Sequence, residues 1–166
     1  MINELPINRE ATAVWDLAYA RNLQCAQQWR SFLWALGQEF VHALPEQELQ
    51  ILMARIGARF ADRIALPACT TLQALQQAMN QVWTDMQWGQ VQLQQTASGI
   101  EIEHRFSPLA AAFGEATSPW TVGFLQGVYQ QWMKAAGAAQ LQVQVIAPVD
   151  SWGTARLCLS VASSPC

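Results

Sequence analysis

At Trp88 the hydrophobic pattern of the chain changes period, and that change excludes both all-helical and all-strand folds. Before it, apolar side chains recur every three or four positions, the mark of an amphipathic helix; from WGQVQLQQ onward they alternate with polar ones, the mark of a half-buried strand. From Gln24, the positions Cys25, Trp29, Phe32, Leu33, Leu36, Phe40 and Val41 define a first helix that Pro45 closes. A second runs from Glu46 to about Ala65, with Leu49, Leu52, Met53, Ile56, Phe60 and Ile64 on one face. Thr70 and Gln73 read as a T-x-x-Q capping box for a third, whose inner face is Leu72, Leu75, Met79, Val82 and Trp83.

After Trp88, a Ser98-Gly99 turn joins WGQVQLQQ to IEIEHRF as a β-hairpin. Ser118 and Pro119 offer an N-cap and a first-turn proline to a helix carrying Val122, Leu125, Tyr129, Trp132 and Met133 and ending near Gly137. LQVQVIAPV and TARLCLSVA return to strand period. The expected fold is α+β: N-terminal helices, then hairpin, helix and hairpin, forming a four-stranded antiparallel sheet packed by helices on one face. Residues 1–22 are set apart as an N-terminal arm, and 23–166 form a single domain. The uncovered sheet face would carry Gln90, Gln92, Gln94, Glu101, Glu103, Arg105, Gln142, Gln144 and Arg156.

Only 13% of the 166 residues are charged, against about a quarter in ordinary soluble domains. Glutamine replaces much of that charge, and eight residues are tryptophan. Few charges, neutral amides and many indoles suit surface that another protein covers, because a stranded charge costs more to desolvate than an amide. A net charge of −3 without a Lys/Arg run argues against nucleic acid. The uncharged stretches 64–84 and 116–133 are broken by prolines and amides, so direct membrane insertion is not expected. Glu4, Arg9, Glu10 and Asp16 interrupt any signal-like apolar run, which points to a cytoplasmic protein with Cys25, Cys69, Cys158 and Cys166 reduced.

Candidate chemistry is sparse. Cys69 precedes a helix start, where a thiol's pKa can fall, but its only candidate bases are His42 and His104, isolated on a helix and a strand. Neither histidine has a partner at metal-ligand spacing, so no metal and no cofactor are expected. Glu101 and Glu103 stand about 6.6 Å apart by strand rise, inside the range of catalytic carboxylate pairs. Neighbours on one strand point the same way, however, whereas such pairs flank a sugar from opposite sides, so a solvated face is the better reading. Gly123 and Gly127, four apart, permit close approach of another backbone, in another subunit or within this one.

The run RIALPACTTLQALQQAMNQVWTDMQWGQVQL, then PWTVGFLQGVYQQWMKAAG and two closing strands, resembles the cellulose synthase D-subunit family of bacterial cellulose operons, from about Ser31 to Val161. The matching pieces are Arg63 with the Pro67-x-Cys69-x-Thr71 corner, Trp88-Gly89, and Leu125-x-Gly127-Val128-Tyr129 with Trp132. Gln87 and Gln130 stand where the family usually has glycine. The resemblance implies a non-catalytic accessory subunit of the cellulose synthase complex, forming a homo-octamer built from dimers, that helps β-1,4-glucan chains leave the synthase in an order suited to crystallisation. Implied partners are further copies of itself, the cellulose synthase catalytic subunit, other accessory proteins of the operon and the glucan, with a place on the cytoplasmic side of the inner-membrane complex. In such proteins the N-terminal segments line the glucan passages, and Asn8, Arg9, Trp15 and Tyr19 are residues of suitable type. Two other readings stand beside it: a vinyl-reductase-like small-ligand-binding or adaptor domain, and a cysteine enzyme centred on Cys69.

Overall fold

The computed structural model describes residues 9–161, with side chains from residue 16 onward. Its elements are helix α1 (Arg9–Gln24), α2 (Gln27–Ala43), α3 (Glu46–Arg63) and α4 (Leu72–Asp85), strands β1 (Gln90–Gln95) and β2 (Ile100–Arg105), short helices α5 (Leu109–Phe113) and α6 (Ser118–Thr121), helix α7 (Gly123–Ala135), and strands β3 (Leu141–Ala147) and β4 (Ala155–Val161). The strands form one antiparallel sheet in the order β1-β2-β4-β3. Helices cover one face, as the period change implies. The inner face carries Val91, Leu93, Ile102, His104, Ala155, Leu157, Leu159 and Val143, all buried. The other face presents Gln90, Gln92, Gln94, Arg105, Gln142 and Arg156 exposed and Glu101, Glu103 and Gln144 partly covered.

Three of the helices have a local cause for where they begin or end. The orphan carbonyls at the end of α1 are taken up by Arg30 of the next helix, whose guanidinium donates to the carbonyl oxygens of Arg21, Asn22 and Cys25. One side chain thus ends α1 and fixes its elbow with α2. Pro45 occupies the N-cap of α3, and Glu46 and Glu48 place negative charge in its first turn. The cap of α4 is Thr71, not Thr70: the Thr71 hydroxyl accepts from the Ala74 N–H at 3.1 Å. Two adjacent threonines offer the same chemistry, and the extended backbone at Thr71 decides between them.

Two other expectations change. The helix expected from Ser118 is split into α6 and α7 only at Val122, which itself keeps helical angles (φ −56°, ψ −24°) and donates to the Ser118 carbonyl, so the path runs on into Gly123, where a Cβ would meet the Gln50 carbonyl of α3. Two short elements, α5 and a 3₁₀ turn at Glu115–Thr117, fill the segment between β2 and α6. Gln87 holds a left-handed backbone with φ of 57°, a conformation glycine adopts without steric cost.

Helices α3 and α7 cross with almost no side chain between them. A Cβ at Gly57 would overlap the Phe124 carbonyl, one at Gly123 the Gln50 carbonyl and one at Gly127 the Ala54 carbonyl. The small residues noticed in the sequence therefore serve a contact within this chain, of helix on helix, and that face of α7 is not open to another copy. The second half of the domain also echoes the first: α4-β1-β2 and α7-β3-β4 are both helix–hairpin units, and β2 and β4 lie side by side at the centre of the sheet.

Gly127→Ala is expected to lower stability by about 1–3 kcal/mol despite alanine's better helix propensity, since the added methyl must push α3 away. The midpoint of urea unfolding checks this; an unchanged or higher midpoint would contradict the close crossing.

Candidate functional site

The structure gathers aromatic residues from five elements and loops around Trp83 of α4. Phe60 stacks on Trp83 with ring centroids 5.9 Å apart, Trp88 stacks on Trp83 at 6.0 Å, and Trp132 lies tilted against it at 5.2 Å. Phe124 adds edge and tilted contacts to Phe60 and Trp88. Trp83, Tyr129 and His104 are fully buried.

His104 supplies the polar thread through this layer. Its Nε2 lies 2.7 Å from the Trp88 carbonyl and its Nδ1 lies 2.5 Å from the Tyr129 hydroxyl. A carbonyl oxygen can only accept, so Nε2 carries the proton and Nδ1 accepts from Tyr129. That tautomer is neutral. Burial drives the His104 pKa down to about 4, with the hydrogen bond to Trp88 opposing the fall. Burial likewise pushes the Tyr129 phenol well above its usual value, the Trp83 indole opposing part of the rise. Neither group is therefore set to exchange protons near neutrality.

Several residues of the family-like pattern meet here, and each has a physical task. Trp132 donates from Nε1 to the Ile64 carbonyl at 2.8 Å, tying α7 to the end of α3 just before the Pro67-x-Cys69-x-Thr71 corner. Gly89, with φ of 86°, sits where a Cβ would overlap the Arg105 carbonyl, so the entry to β1 can press against the exit of β2. Gly127 makes the α3 crossing, Thr71 caps α4, and Pro67 stands exposed with its carbonyl accepting from the Cys69 thiol at 3.2 Å.

The chemical candidates lose their partners. Both ring nitrogens of His104 are committed, and His42 lies exposed on α2, so the half-buried Cys69 has no base in these contacts. Glu103 is ion-paired to Arg105 and Arg156; the hydrogen bond from Arg105 leads the causes that hold its carboxyl below the usual range, so it stays ionised beside Glu101 and is not a general acid. Among the described residues no cluster of His, Cys, Asp and Glu is arranged to hold a metal ion. Cys158 is disulfide-bonded, which corrects the expectation of four reduced cysteines; Cys25 and Cys69 are free thiols. Spacing carried no hint of that bond.

Away from the core, the surface of α1 and α2 is unusually apolar. Tyr19 and Leu23 of α1 are each 67% exposed, and Trp29, Phe32 and Trp34 of α2 are each more than half exposed. Trp29 and Phe32 pack edge to face, with centroids 6.2 Å apart. Trp29, Leu33, Phe40, Ile56, Trp88 and Phe124 are among the residues lining an apolar groove of about 580 Å³ between the α1–α2 elbow and the body. Periodicity placed Trp29, Phe32 and Val41 on the inner face of α2, yet they lie exposed on its flanks, while Leu33, Gly37 and Phe40 turn inward. Of the arm residues, Asn8 and the side chains of Arg9 and Trp15 lie outside the described residues.

This organisation has relatives. Residues 15–160 match the cellulose synthase D-subunit family. The chain belongs to that family. It is 28% identical over 122 residues to a cellulose synthase operon protein D of Komagataeibacter xylinus, covering 72% of this chain and 78% of that protein. A cellulose synthase operon protein D of Komagataeibacter sucrofermentans is 27% identical with the same coverage. The α2 aromatics fall within the matched span, as does the whole Trp83 cluster. The family is that of an accessory subunit of the synthase, distinct from its catalytic chain. No helix among the described residues is long and apolar enough to cross a membrane.

The buried neutral His104 predicts a pH dependence of stability. Unfolded, it takes up a proton as pH falls below about 6.5; folded, it refuses the proton until about pH 4. Stability is therefore complete above pH 6.5 and lost as pH falls toward 4, by roughly 3 kcal/mol in all. His104→Gln, which keeps a donor and an acceptor but cannot titrate, is expected to flatten the slope of denaturation free energy between pH 7 and pH 4. An unchanged slope would show that His104 is accessible to protons.

Proposed function

We propose that this protein is a non-catalytic, self-assembling accessory subunit of a bacterial cellulose synthase complex that guides β-1,4-glucan chains toward ordered crystallisation. The observation that carries this reading is the coincidence of family membership with the exposed aromatic side chains of α1 and α2, Tyr19, Trp29, Phe32 and Trp34. A soluble monomer tolerates exposed apolar patches of only a few hundred Å². Covering this surface with further copies removes the conflict, and closed symmetry would build dimers into a ring such as the octamer.

The same surface has the chemistry of a glucan passage. Pyranose faces stack on aromatic rings and hydroxyls pair with amides and guanidinium groups, in contacts weak enough for a polymer to slide. Tyr19, exposed on α1, fits such a role, and the arm residues Asn8, Arg9 and Trp15 are proposed to share it. The partners are the catalytic subunit, other accessory proteins of the operon and the glucan; the cytoplasmic side of the inner membrane is the proposed compartment on the strength of the interrupted N-terminal apolar run alone, since the disulfide at Cys158 belongs to oxidising surroundings. A second reading, a small-ligand-binding domain, draws on the apolar groove beneath α2, and release of an apolar ligand on denaturation of the purified protein would favour it.

Deletion of the gene in a cellulose-producing host tests the proposal. Glucan synthesis should persist while cellulose yield or crystallinity falls, and the intact chain should restore both where Trp29→Ser combined with Trp34→Ser does not. Complete loss of UDP-glucose polymerisation in isolated membranes would contradict a non-catalytic role.

A further inference from the structure

Both outer strands of the sheet have their open edges occupied by side-chain amides of the preceding long helix. On β1, the Val91 N–H donates to Asn80 Oδ1 at 2.7 Å, the Val91 carbonyl accepts from Asn80 Nδ2 at 2.8 Å, and the Leu93 N–H donates to Gln76 Oε1 at 2.7 Å. On β3, the Val143 N–H donates to Gln130 Oε1 at 2.8 Å, the Leu141 carbonyl accepts from Gln130 Nε2 at 3.0 Å, and the Val143 carbonyl accepts from Gln126 Nε2 at 2.9 Å.

A carboxamide offers an edge strand the same N–H and C=O as a peptide group. Four residues of helix climb about 6.0 Å and two residues of strand about 6.8 Å, so amides at i and i+4 on a helix meet alternate residues of a strand running beside it. Those alternate residues are the ones whose backbone groups point away from the sheet. Gln76 and Asn80 have this spacing on α4. Gln126 and Gln130 repeat it 50 residues later on α7, facing Leu141 and Val143, which in turn lie 50 residues beyond Val91 and Leu93. The arrangement thus occurs twice, on equivalent elements of the two helix–hairpin units.

We propose that these four amides act as surrogate strands that close both sheet edges to strand addition, by copies of this chain or by any extended peptide. An open edge is a template for unlimited growth, and proteins often blunt it with charge. Here an incoming strand would have to displace three hydrogen bonds at either edge, and the blocking groups are neutral. Assembly is left to helix and sheet faces, where it can close. This inference is independent of the glucan-guide reading, since its test compares variants with the natural chain whatever the size of the natural assembly.

The test uses the full chain with Gln126→Leu plus Gln130→Leu at one edge, and Gln76→Leu plus Asn80→Leu at the other. Gln131→Leu is the control, because that amide bonds Asp62 away from the edges. Circular dichroism establishes folding; sedimentation velocity over a concentration series and binding of a fluorescein-labelled IEIEHR peptide, copying 100–105, report on the edges. Edge variants should form species larger than the natural assembly that grow with concentration, and bind the peptide roughly tenfold tighter or more, the equivalent of about one net hydrogen bond. The control should match the natural chain. Folded edge variants with unchanged mass distribution and peptide affinity would overturn the proposal. If either double variant fails to fold, Gln130→Ala and Asn80→Ala, each removing two of an edge's three bonds, decide by the same two readouts.

Discussion

The close crossing of α3 on α7 is the constraint from which the rest of the structure follows. Three glycines, Gly57, Gly123 and Gly127, let backbone meet backbone, so the two helices form one rigid layer over the sheet. That layer sets Phe60 beside Phe124, brings Trp132 to the end of α3, and holds Tyr129 where its hydroxyl reaches His104. The aromatic cluster is thus a consequence of the crossing. The chemistry at the centre follows the same logic. A histidine held neutral between a carbonyl and a phenol is a packing element, which fits an accessory role better than catalysis.

Much of this was legible in the residues. The helix-to-strand change at Trp88 set the class, and alternation along QVQLQQ and IEIEHR told the helix-covered face of the sheet from the other, although Cys158 and Ser160 on that other face are buried. Cap position was less legible, since Thr70 and Thr71 carry the same hydroxyl and only the backbone separates them. The partner of Gly123 and Gly127 was not legible, because a small-residue spacing says that something comes close without saying what. The amphipathic reading of α2 failed in part because tryptophan and phenylalanine count as core residues in any periodicity, whether the core belongs to one chain or to an assembly. The role of the glutamines was missed although a signal existed: QQAMNQVW, residues 76–83, and QGVYQQWM, residues 126–133, carry amides four apart at equivalent places in two helix–hairpin units.

Two surfaces of opposite character result. The sheet is finished: its edges are hydrogen-bonded to amides, and its outer face carries an ion-paired Glu103 among glutamines. The elbow of α1 and α2 is unfinished, with exposed indoles and an apolar groove beside them. Arg30 ties that elbow together by donating to the carbonyls at the end of α1. An exposed aromatic surface suits repeated self-contact, and aromatic rings with amides also suit a sliding glucan.

The central claim is therefore that the apolar elbow drives assembly with little help from charge. Light scattering coupled to size exclusion, at low and at high salt, measures this directly on the 18.4 kDa chain. Ionic contacts between exposed groups weaken as salt screens them, whereas burial of apolar and amide surface does not. The account predicts several times the chain mass under both conditions. A monomer under both would contradict it.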